Sequence, residues 1–183
     1  MRLPPLTLVL GGASSGKSAF AERQVRQCGL AKVYIATAEA LDGEMAEKIA
    51  AHRAQRVGQG WRTLEAPHET AKALTEIEAG EVALLDCVTL WLTNLMVDDG
   101  DWDEELEILI DVLLQMRAPV VLVSNDVSGG VMPDNALARA FQRAQGEVNQ
   151  RLAAHADLVV HVTAGLPVVL KGQPQLDDVD QPW

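Results

Sequence analysis

A glycine-rich segment near the amino terminus has the residue types and spacing of a phosphate-binding loop. Residues 11–18 match the pattern G-x-x-x-x-G-K-[ST], directly after an apolar run and before an amphipathic stretch. The glycines allow the backbone to curl so that successive N–H groups converge on phosphate oxygens. Lys17 can reach the β- and γ-phosphates, and the Ser18 hydroxyl can hold Mg²⁺. The candidate loop residues are Gly11, Gly12, Ala13, Ser14, Ser15, Gly16, Lys17 and Ser18.

An acidic residue at the end of an apolar strand is the candidate magnesium partner of this loop. Residues 82–85 are apolar and Asp86 follows them, which predicts a carboxylate at the carboxyl edge of the sheet. Asp126 also follows an apolar strand and is the weaker candidate, whereas Asp157 begins its strand and falls at the opposite edge. The alternative interpretation of Asp86 is an ordinary turn residue, because aspartate is common in turns.

A histidine with basic residues at helical spacing is the candidate nucleophile. On the helix predicted over residues 42–56, Lys48 and Arg56 lie four residues before and after His52, so the three share one face. The two cations lower the pKa of the imidazole, which favours its neutral, nucleophilic form, and they attract a triphosphate. Attack of His52 on phosphorus would give a covalent phosphoramidate. A solvated surface helix is the alternative interpretation.

The composition limits the function classes that these motifs can serve. The chain has 183 residues and a formal net charge of −11, a balance that disfavours binding to nucleic acid or to an anionic membrane. No apolar run approaches the roughly 18 residues of a membrane span, and no signal-peptide pattern is present, so we expect a cytoplasmic protein. Phosphate chemistry must therefore depend on local cations, to which Arg53 and Arg62 are expected to contribute.

The remaining histidines and the two cysteines predict neither a metal site nor a disulfide framework. His68, His155 and His161 have no cysteine or histidine partner at metal-ligand spacing, and we interpret them as structural. Cys28 and Cys87 are interpreted as buried thiols in a reducing compartment.

Apolar strands alternate with amphipathic helices along the chain, which is typical of a mostly parallel sheet with helices on both faces. We expect one α/β domain over residues 1–171 and a polar tail over 172–183 that frays. The predicted strands cover residues 6–10, 32–37, 82–85, 120–123 and 157–162, with a short edge hairpin at 168–171. The predicted helical segments cover residues 17–28, 42–56, 68–79, 89–97, 103–117 and 134–155.

Several segments together carry a resemblance to a known family. They cover residues 11–18, 34–38, 42–45, 52–53, 61–65, 86–89, 93–95, 124–127, 131–133 and 148–152. In their order and spacing they resemble the bifunctional adenosylcobinamide kinase/adenosylcobinamide-phosphate guanylyltransferase family of cobalamin biosynthesis. The resemblance implies a single-domain, RecA-like P-loop fold that is usually assembled as a homotrimer.

The resemblance also implies two reactions at one site. In the first, ATP or GTP phosphorylates the aminopropanol hydroxyl of adenosylcobinamide. In the second, the family histidine, which falls on His52, attacks the α-phosphate of GTP. The GMP then passes to adenosylcobinamide phosphate, giving adenosylcobinamide-GDP. The nucleotide contacts implied beyond the loop are Thr37, Ala38, Glu39, Arg53, Ala54, Gln55, Arg56, Glu65 and Asp86.

Three departures from the family pattern are expected to shift nucleotide preference or the balance between the kinase and transferase activities rather than to abolish either reaction. Ser14 stands where the family often has arginine, Asp86 where glutamate is common, and Arg-Ala-Gln-Arg over residues 53–56 replaces a more usual Lys-Asp-Gly-Arg. Two alternative functions remain open at this level. One is a simple P-loop small-molecule kinase without a covalent intermediate, and the other is a nucleotide-binding regulatory protein.

Overall fold

A seven-stranded sheet forms the centre of the fold. The structure is a computed structural model that describes residues 2–39, Glu47, Ala50, Ala54, Arg56, 58–129 and 133–173. The strands are β1 (Leu6–Gly11), β2 (Ala31–Ala36), β3 (Trp61–Glu65), β4 (Glu81–Asp86), β5 (Val120–Asn125), β6 (Leu158–Thr163) and β7 (Leu166–Lys171). Their order in the sheet is β3-β2-β4-β5-β1-β6-β7, and every neighbouring pair is parallel except β6 and β7. This architecture confirms the predicted α/β class.

Helices cover both faces of the sheet. They are α1 (Lys17–Gln27), α2 (Thr70–Thr75), α3 (Val88–Val97), α4 (Trp102–Gln115) and α5 (Ala136–His155). Glu47, Ala50, Ala54 and Arg56 are also helical, within the helix predicted over 42–56. None of the helices in the described part of the chain combines the length and apolar character needed to cross a membrane.

Two hydrophobic cores form because successive strand residues point to opposite faces. Leu8 of β1 packs into the core beneath α2 to α5, whereas its neighbour Val9 packs into the core beneath α1. Leu122 and Val123 of β5 divide between the two cores in the same way. Strands buried on both faces show near-continuous apolar runs, which explains why the sequence predicts them well.

The structure differs from the sequence-based elements at the sheet edge and in one helix. β3 was not predicted, because this edge strand has only exposed and partly buried residues and lacks an apolar run. The amphipathic stretch over residues 68–79 contains only the six-residue helix α2. The predicted edge hairpin is present as β6 and β7.

A buried polar network anchors the loop that follows β5 to α5. Ser124 Oγ donates a 2.6 Å hydrogen bond to Asn149 Oδ1, and Asn149 Nδ2 donates to the backbone oxygen of Asn125 at 3.0 Å. Gln145, which is fully buried, donates to both Ser124 Oγ and Asn149 Oδ1. Buried polar groups that satisfy one another rigidify a core, so this network fixes the exit of β5 beside β1.

The two cysteines differ in burial, contrary to the expectation that both are buried. Cys87 is 7% exposed, whereas Cys28 is partly exposed at the end of α1 and donates a hydrogen bond from Sγ to the backbone oxygen of Val25. Burial, together with the adjacent Asp86 charge, raises the pKa of the Cys87 thiol to about 12.

We therefore expect one fast-reacting thiol in the folded protein. At pH 8 a group with a pKa of about 12 is ionised to about one part in 10,000, and burial blocks the reagent as well. A colorimetric disulfide reagent should modify Cys28 quickly and Cys87 only after unfolding in denaturant. Cys28→Ser should remove the fast phase; a fast phase that survives in this variant would contradict the assignment.

Candidate active site

The segment between β1 and α1 has the backbone geometry of a phosphate-binding loop. A Cβ atom at Gly11 would lie 2.4 Å from Ser15 Oγ and 2.6 Å from the backbone oxygen of Val162, so only glycine fits there. Gly16 is the N-cap of α1 with φ of 91°, a left-handed conformation that glycine adopts without strain. The Ser15 N–H donates to the Gly12 oxygen at 3.2 Å and closes the turn. The predicted strand-loop-helix arrangement is confirmed.

The start of α1 presents its cation and its hydroxyl at the loop. Lys17 Nζ donates a 3.2 Å hydrogen bond to the backbone oxygen of Gly12, which places the ammonium over the loop. Ser18 is partly buried in the first helical turn. The N–H groups of that turn have no intrahelical partners and carry the positive end of the helix dipole, a combination that attracts phosphate.

Asp86 ends β4 at the same edge of the sheet. β5 lies between β1 and β4, so the ends of these two strands are separated by about 10 Å, which is two strand spacings. Asp86 is two residues beyond Leu84, which belongs to the core beneath α1, and its side chain therefore points to the α1 side of the sheet. Strand order and pleat thus direct the carboxylate toward the face on which Ser18 lies.

Thr37 fixes the backbone immediately after Asp86. Its hydroxyl donates a 2.8 Å hydrogen bond to the Cys87 oxygen and accepts one of 2.8 Å from the Cys87 N–H. Asn94 of α3, which is 4% exposed, donates from Nδ2 to the backbone oxygens of Thr37 and Pro67. The exits of β2, β3 and β4 are consequently held together by side-chain hydrogen bonds at the carboxyl edge.

A buried tyrosine lies between Asp86 and Arg56. Tyr34 of β2 is 4% exposed, and its hydroxyl donates a 3.0 Å hydrogen bond to Asp86 Oδ2. Burial and the Asp86 charge raise the pKa of this hydroxyl, so it remains protonated. The Arg56 guanidinium carbon lies 3.5 Å from the centroid of the Tyr34 ring. Trp61 packs edge-on against the same ring, with centroids 5.9 Å apart and an interplanar angle of 86°.

Arg56 is a buried cation near Tyr34. It is 7% exposed, and its Nε and Nη1 atoms have no hydrogen-bond partner among the described residues. A buried polar group without a partner is costly, which suggests a ligand that accepts these hydrogen bonds. Ala54, by contrast, is exposed and offers no side-chain donor.

Asp126 uses its carboxylate within its own loop. Hydrogen bonds from the Ser128 hydroxyl and N–H, with a smaller contribution from His161, lower the pKa of Asp126. The Asp126 N–H donates to the Gly11 oxygen at 3.0 Å, which ties the β5 exit to the phosphate loop. Asp157 accepts a hydrogen bond from the Leu6 N–H at the start of β1, so it lies at the opposite edge, as predicted.

Two of the histidines interpreted as structural contact carboxylates near the site. His68 Nε2 lies 3.0 Å from Glu39 Oε1 and 3.7 Å from Asp98 Oδ2. His161 Nε2 lies 3.4 Å from Asp126 Oδ2. Of the two glutamates singled out in the sequence, Glu39 is therefore already paired, and Glu65 is exposed at the end of β3.

The structure corrects the expected contribution of Arg62 to the phosphate site. Arg62 lies three residues before the end of β3, about 10 Å from the carboxyl edge. Its guanidinium pairs with Glu81, the first residue of β4, with an Nη2–Oε2 distance of 2.8 Å. The strand polarity places this ion pair toward the amino edge, away from the phosphate loop. His52, Arg53, Gln55 and the flanking Lys48 lie outside the described residues.

The residues that fit a magnesium ion are few. No group of three or more His, Cys, Asp or Glu side chains suited to a metal occurs in the part of the chain that the structure describes. Asp86 Oδ1 makes no hydrogen bond within that part, and Ser18 supplies a second oxygen on the same face. One carboxylate and one hydroxyl suit Mg²⁺, which keeps several waters and completes its shell with substrate phosphates.

Sequence reasoning missed the residues that hold the site in place. Tyr34 and Asn94 appeared only inside segments of the family resemblance, with no role of their own. In each case the sequence contains a signal that the side chain has a buried hydrogen-bond partner. A phenolic hydroxyl in an otherwise apolar strand and an amide in an apolar helix both need a buried partner. The partner of Tyr34 depends on the register of β2 with β4, and the partners of Asn94 depend on where α3 packs against the segments that follow β2 and β3; the sequence reveals neither.

The sheet order and the loop at the end of β1 define a RecA-like P-loop NTPase fold. The structure resembles the RadB recombinase with a TM-score of 0.58 and 15% sequence identity, covering 93% of this chain and 83% of that one. It also resembles the flagellar accessory protein FlaH from Methanocaldococcus jannaschii, with a TM-score of 0.53 and 14% identity, covering 93% and 80%. At these identities the similarity concerns the fold alone.

The chain belongs to the cobinamide kinase / cobinamide phosphate guanyltransferase family, whose model matches residues 7–170. It is 47% identical over 170 residues to the bifunctional adenosylcobalamin biosynthesis protein CobP of Pseudomonas aeruginosa, covering 91% of this chain and 98% of that protein. It is 40% identical over 182 residues to CobU of Escherichia coli, another bifunctional adenosylcobalamin biosynthesis protein, covering 91% and 99%. The protein is a bifunctional cobinamide kinase and guanylyltransferase of adenosylcobalamin biosynthesis, as the sequence resemblance implied.

Replacement of Thr37 by valine is expected to weaken both the fold and nucleotide binding. The isosteric change leaves the Cys87 N–H unpaired and removes one of the two hydrogen bonds that the Cys87 oxygen accepts, the other coming from the Trp91 N–H, at a cost of about 1–3 kcal/mol in the free energy of unfolding. Thr70→Val is the matched control, because Thr70 is equally buried and donates one hydrogen bond, to Ala66, away from Asp86. Urea denaturation and calorimetric titration with a nucleotide should show that only Thr37→Val reduces nucleotide affinity. An equal loss of nucleotide affinity in both variants would contradict a role for Thr37 at the site.

Proposed function

We propose that one triphosphate site at the carboxyl edge of the sheet performs both reactions of the family. The observation that carries this proposal is the phosphate-loop geometry of residues 11–18 in a chain whose family match spans residues 7–170. In this proposal the loop N–H groups bind the phosphate chain. Residues 1–171 form the functional domain, and the tail beyond it takes no part.

In the kinase step the aminopropanol hydroxyl of adenosylcobinamide attacks the γ-phosphorus of ATP or GTP. A new O–P bond forms, the bond from the γ-phosphorus to the β-phosphate oxygen breaks, the hydroxyl loses its proton, and the nucleoside diphosphate leaves. Lys17 stabilises the charge on the transferred group and on the leaving β-phosphate, since its ammonium lies over the loop.

Ser18 and Asp86 are the residues that would hold Mg²⁺. The ion supplies charge neutralisation and orientation of the phosphate chain. The supporting observations are an Asp86 Oδ1 that accepts no hydrogen bond from the described residues and the placement of both side chains on the α1 side of the sheet.

In the transferase step a neutral nitrogen of His52 attacks the α-phosphorus of GTP. A P–N bond forms, the bond to the β-phosphate breaks, and pyrophosphate leaves. An oxygen of adenosylcobinamide phosphate then attacks the same phosphorus, the P–N bond breaks, and adenosylcobinamide-GDP is released with free His52. The basic residues four positions away on either side support this role, because they favour the neutral imidazole.

The remaining nucleotide contacts are proposed from the family resemblance together with their place in the fold. Thr37, Ala38 and Glu39 follow β2, and Glu65 ends β3, so all four lie at the carboxyl edge with Asp86. Arg56 offers two N–H-bearing atoms, Nε and Nη1, that have no hydrogen-bond partner in the described part of the chain. The other proposed contacts are Arg53, Ala54 and Gln55.

The covalent intermediate is tested by labelling with GTP that carries its isotope in the α-phosphate. The wild-type protein should become labelled through an acid-labile, alkali-stable bond, and His52→Ala should reduce labelling at least 100-fold. His155→Ala is the control, because His155 is exposed at the end of α5 and takes no part in the proposal. Equal labelling of wild type and His52→Ala would refute the histidine intermediate. A wild-type protein that transfers the γ-phosphate but is not labelled would favour the simple kinase.

We also propose that the enzyme is a homotrimer that uses β7 in its interface. This strand ends the sheet, and Leu166, Val168 and Leu170 are each more than half exposed along one of its faces. An apolar edge strand in water invites pairing with another chain, and here the proposed partner is a second copy.

Light scattering after size-exclusion chromatography should give the mass of three chains. Val168→Lys should shift the protein toward the monomer, because a charge would be buried in the interface. Leu137→Lys changes a leucine on α5 that is 69% exposed, and it should leave the mass unchanged. A monomeric wild type at micromolar concentration would overturn the trimer. An unchanged mass for Val168→Lys would overturn the assignment of β7.

A further inference from the structure

The register of β2 and β4 brings the Tyr34 hydroxyl to the Asp86 carboxylate. Tyr34 is paired with Leu84, and Asp86 is two residues further along β4, so Tyr34 and Asp86 are diagonal neighbours on the α1 face. The resulting hydrogen bond to Oδ2 is the only one that the described residues make to this carboxylate. It occupies Oδ2, whereas Oδ1 accepts no hydrogen bond from the described residues.

The ring of the same tyrosine supports Arg56. The guanidinium stacks at 3.5 Å from the ring centroid, a contact that uses the faces of both groups. The N–H groups of arginine lie in the guanidinium plane, so stacking leaves them available to an anion. Nε and Nη1 are buried and unpartnered within the described part of the chain, so the stacked arginine is held ready for an acceptor.

We propose that Tyr34 is a positioning residue that acts through two separate contacts, orienting the Asp86 carboxylate with its hydroxyl and the Arg56 guanidinium with its ring. The inference rests on the proposed function, in which Asp86 holds the metal and Arg56 contacts the nucleotide phosphates. Tyr34 touches neither ligand. The hydroxyl limits rotation of Asp86 so that Oδ1 stays available to a metal ion. Hydrogen bonds of this kind, behind a metal ligand, typically change metal affinity by roughly 10- to 100-fold.

Tyr34→Phe separates the two contacts, because it removes the hydroxyl and keeps the ring. We expect the affinity for a non-hydrolysable GTP analogue without Mg²⁺ to remain within about twofold of wild type. The Mg²⁺ concentration at which half of the metal-dependent gain in affinity is reached should rise roughly tenfold or more. Calorimetric titrations with and without Mg²⁺ measure both quantities independently of turnover.

Trp61→Phe is the matched control for packing. Trp61 contacts the Tyr34 ring edge-on but does not reach the hydroxyl–carboxylate bond. This variant should leave the Mg²⁺ midpoint unchanged, even where it lowers thermal stability. Equal shifts of the midpoint in Tyr34→Phe and Trp61→Phe would mean that packing alone is responsible, and would overturn the proposal.

Tyr34→Leu tests the second contact, since it removes the ring as well. It should lower the metal-free affinity for the analogue about as much as Arg56→Gln does, while Tyr34→Phe does not. Tyr34→Leu with the metal-free affinity of Tyr34→Phe would overturn the role of the ring. If Tyr34→Leu does not fold, the metal-free affinity of Arg56→Gln for the analogue is the test of this second contact. An affinity equal to that of wild type would overturn the role of the ring in positioning Arg56.

Asp86→Asn distinguishes a failure of this inference from a failure of the proposed function. If Asp86→Asn raises the Mg²⁺ midpoint and Tyr34→Phe does not, Asp86 holds the metal and the Tyr34 inference is wrong. If Asp86→Asn leaves the midpoint at the wild-type value, the metal assignment itself is wrong and the Tyr34 inference fails with it.

Discussion

An acidic chain that handles nucleoside triphosphates must attract phosphate without a positive surface. The net charge of −11 makes the global field repulsive to polyphosphate, so the attraction has to be local. Backbone N–H groups meet this requirement because they carry no net charge, yet they donate strong hydrogen bonds when a loop and a helix terminus point them at one place. Gly11 has no room for a side chain, and the left-handed Gly16 begins α1. The other candidate residues in the described strand ends, Thr37, Glu65 and Asp86, lie at the same edge of the sheet as this loop.

The common direction of the parallel strands determines whether each ionisable residue lies at the carboxyl edge or at the amino edge of the sheet. In a parallel sheet every carboxyl end lies at one edge, so Glu39 after β2, Glu65 of β3 and Asp86 of β4 lie at the same edge as the phosphate loop. The same rule removes Asp157 from the site, and it places the ion pair of Arg62 and Glu81 away from the loop. Local positive charge therefore comes from fewer cations than the sequence suggests.

The limits of prediction follow from which interactions are local in sequence. The phosphate loop, the apolar strands and Asp86 depend on neighbouring residues, and each could be predicted. β3 escaped prediction because an edge strand need not be apolar on either face. Arg62 was misplaced because basic residues near one another in sequence were expected to share one site, whereas position along the strand decides. The contacts of Tyr34, Thr37 and Asn94 span 27 to 57 residues and depend on register, which the sequence leaves undetermined.

Under the proposal that one triphosphate site serves both reactions, the two steps place opposite demands on that site. The kinase step breaks the bond beyond the β-phosphate, and the proposed transferase step breaks the bond before it, so the β-phosphate is the common point that the loop must hold. Which bond breaks must then depend on where the nucleophile lies: near the γ-phosphorus in the kinase step, or near the α-phosphorus in the transferase step. If the metal-binding carboxylate and the phosphate-binding arginine moved independently, the bound triphosphate could shift along its own length. The phosphorus atom to be attacked would then no longer be held opposite its nucleophile. Tyr34 contacts both Asp86 and Arg56 within a buried core, so a shift of one displaces the other. Rigidity at this junction is therefore what would allow two nucleophiles to use one triphosphate-binding site.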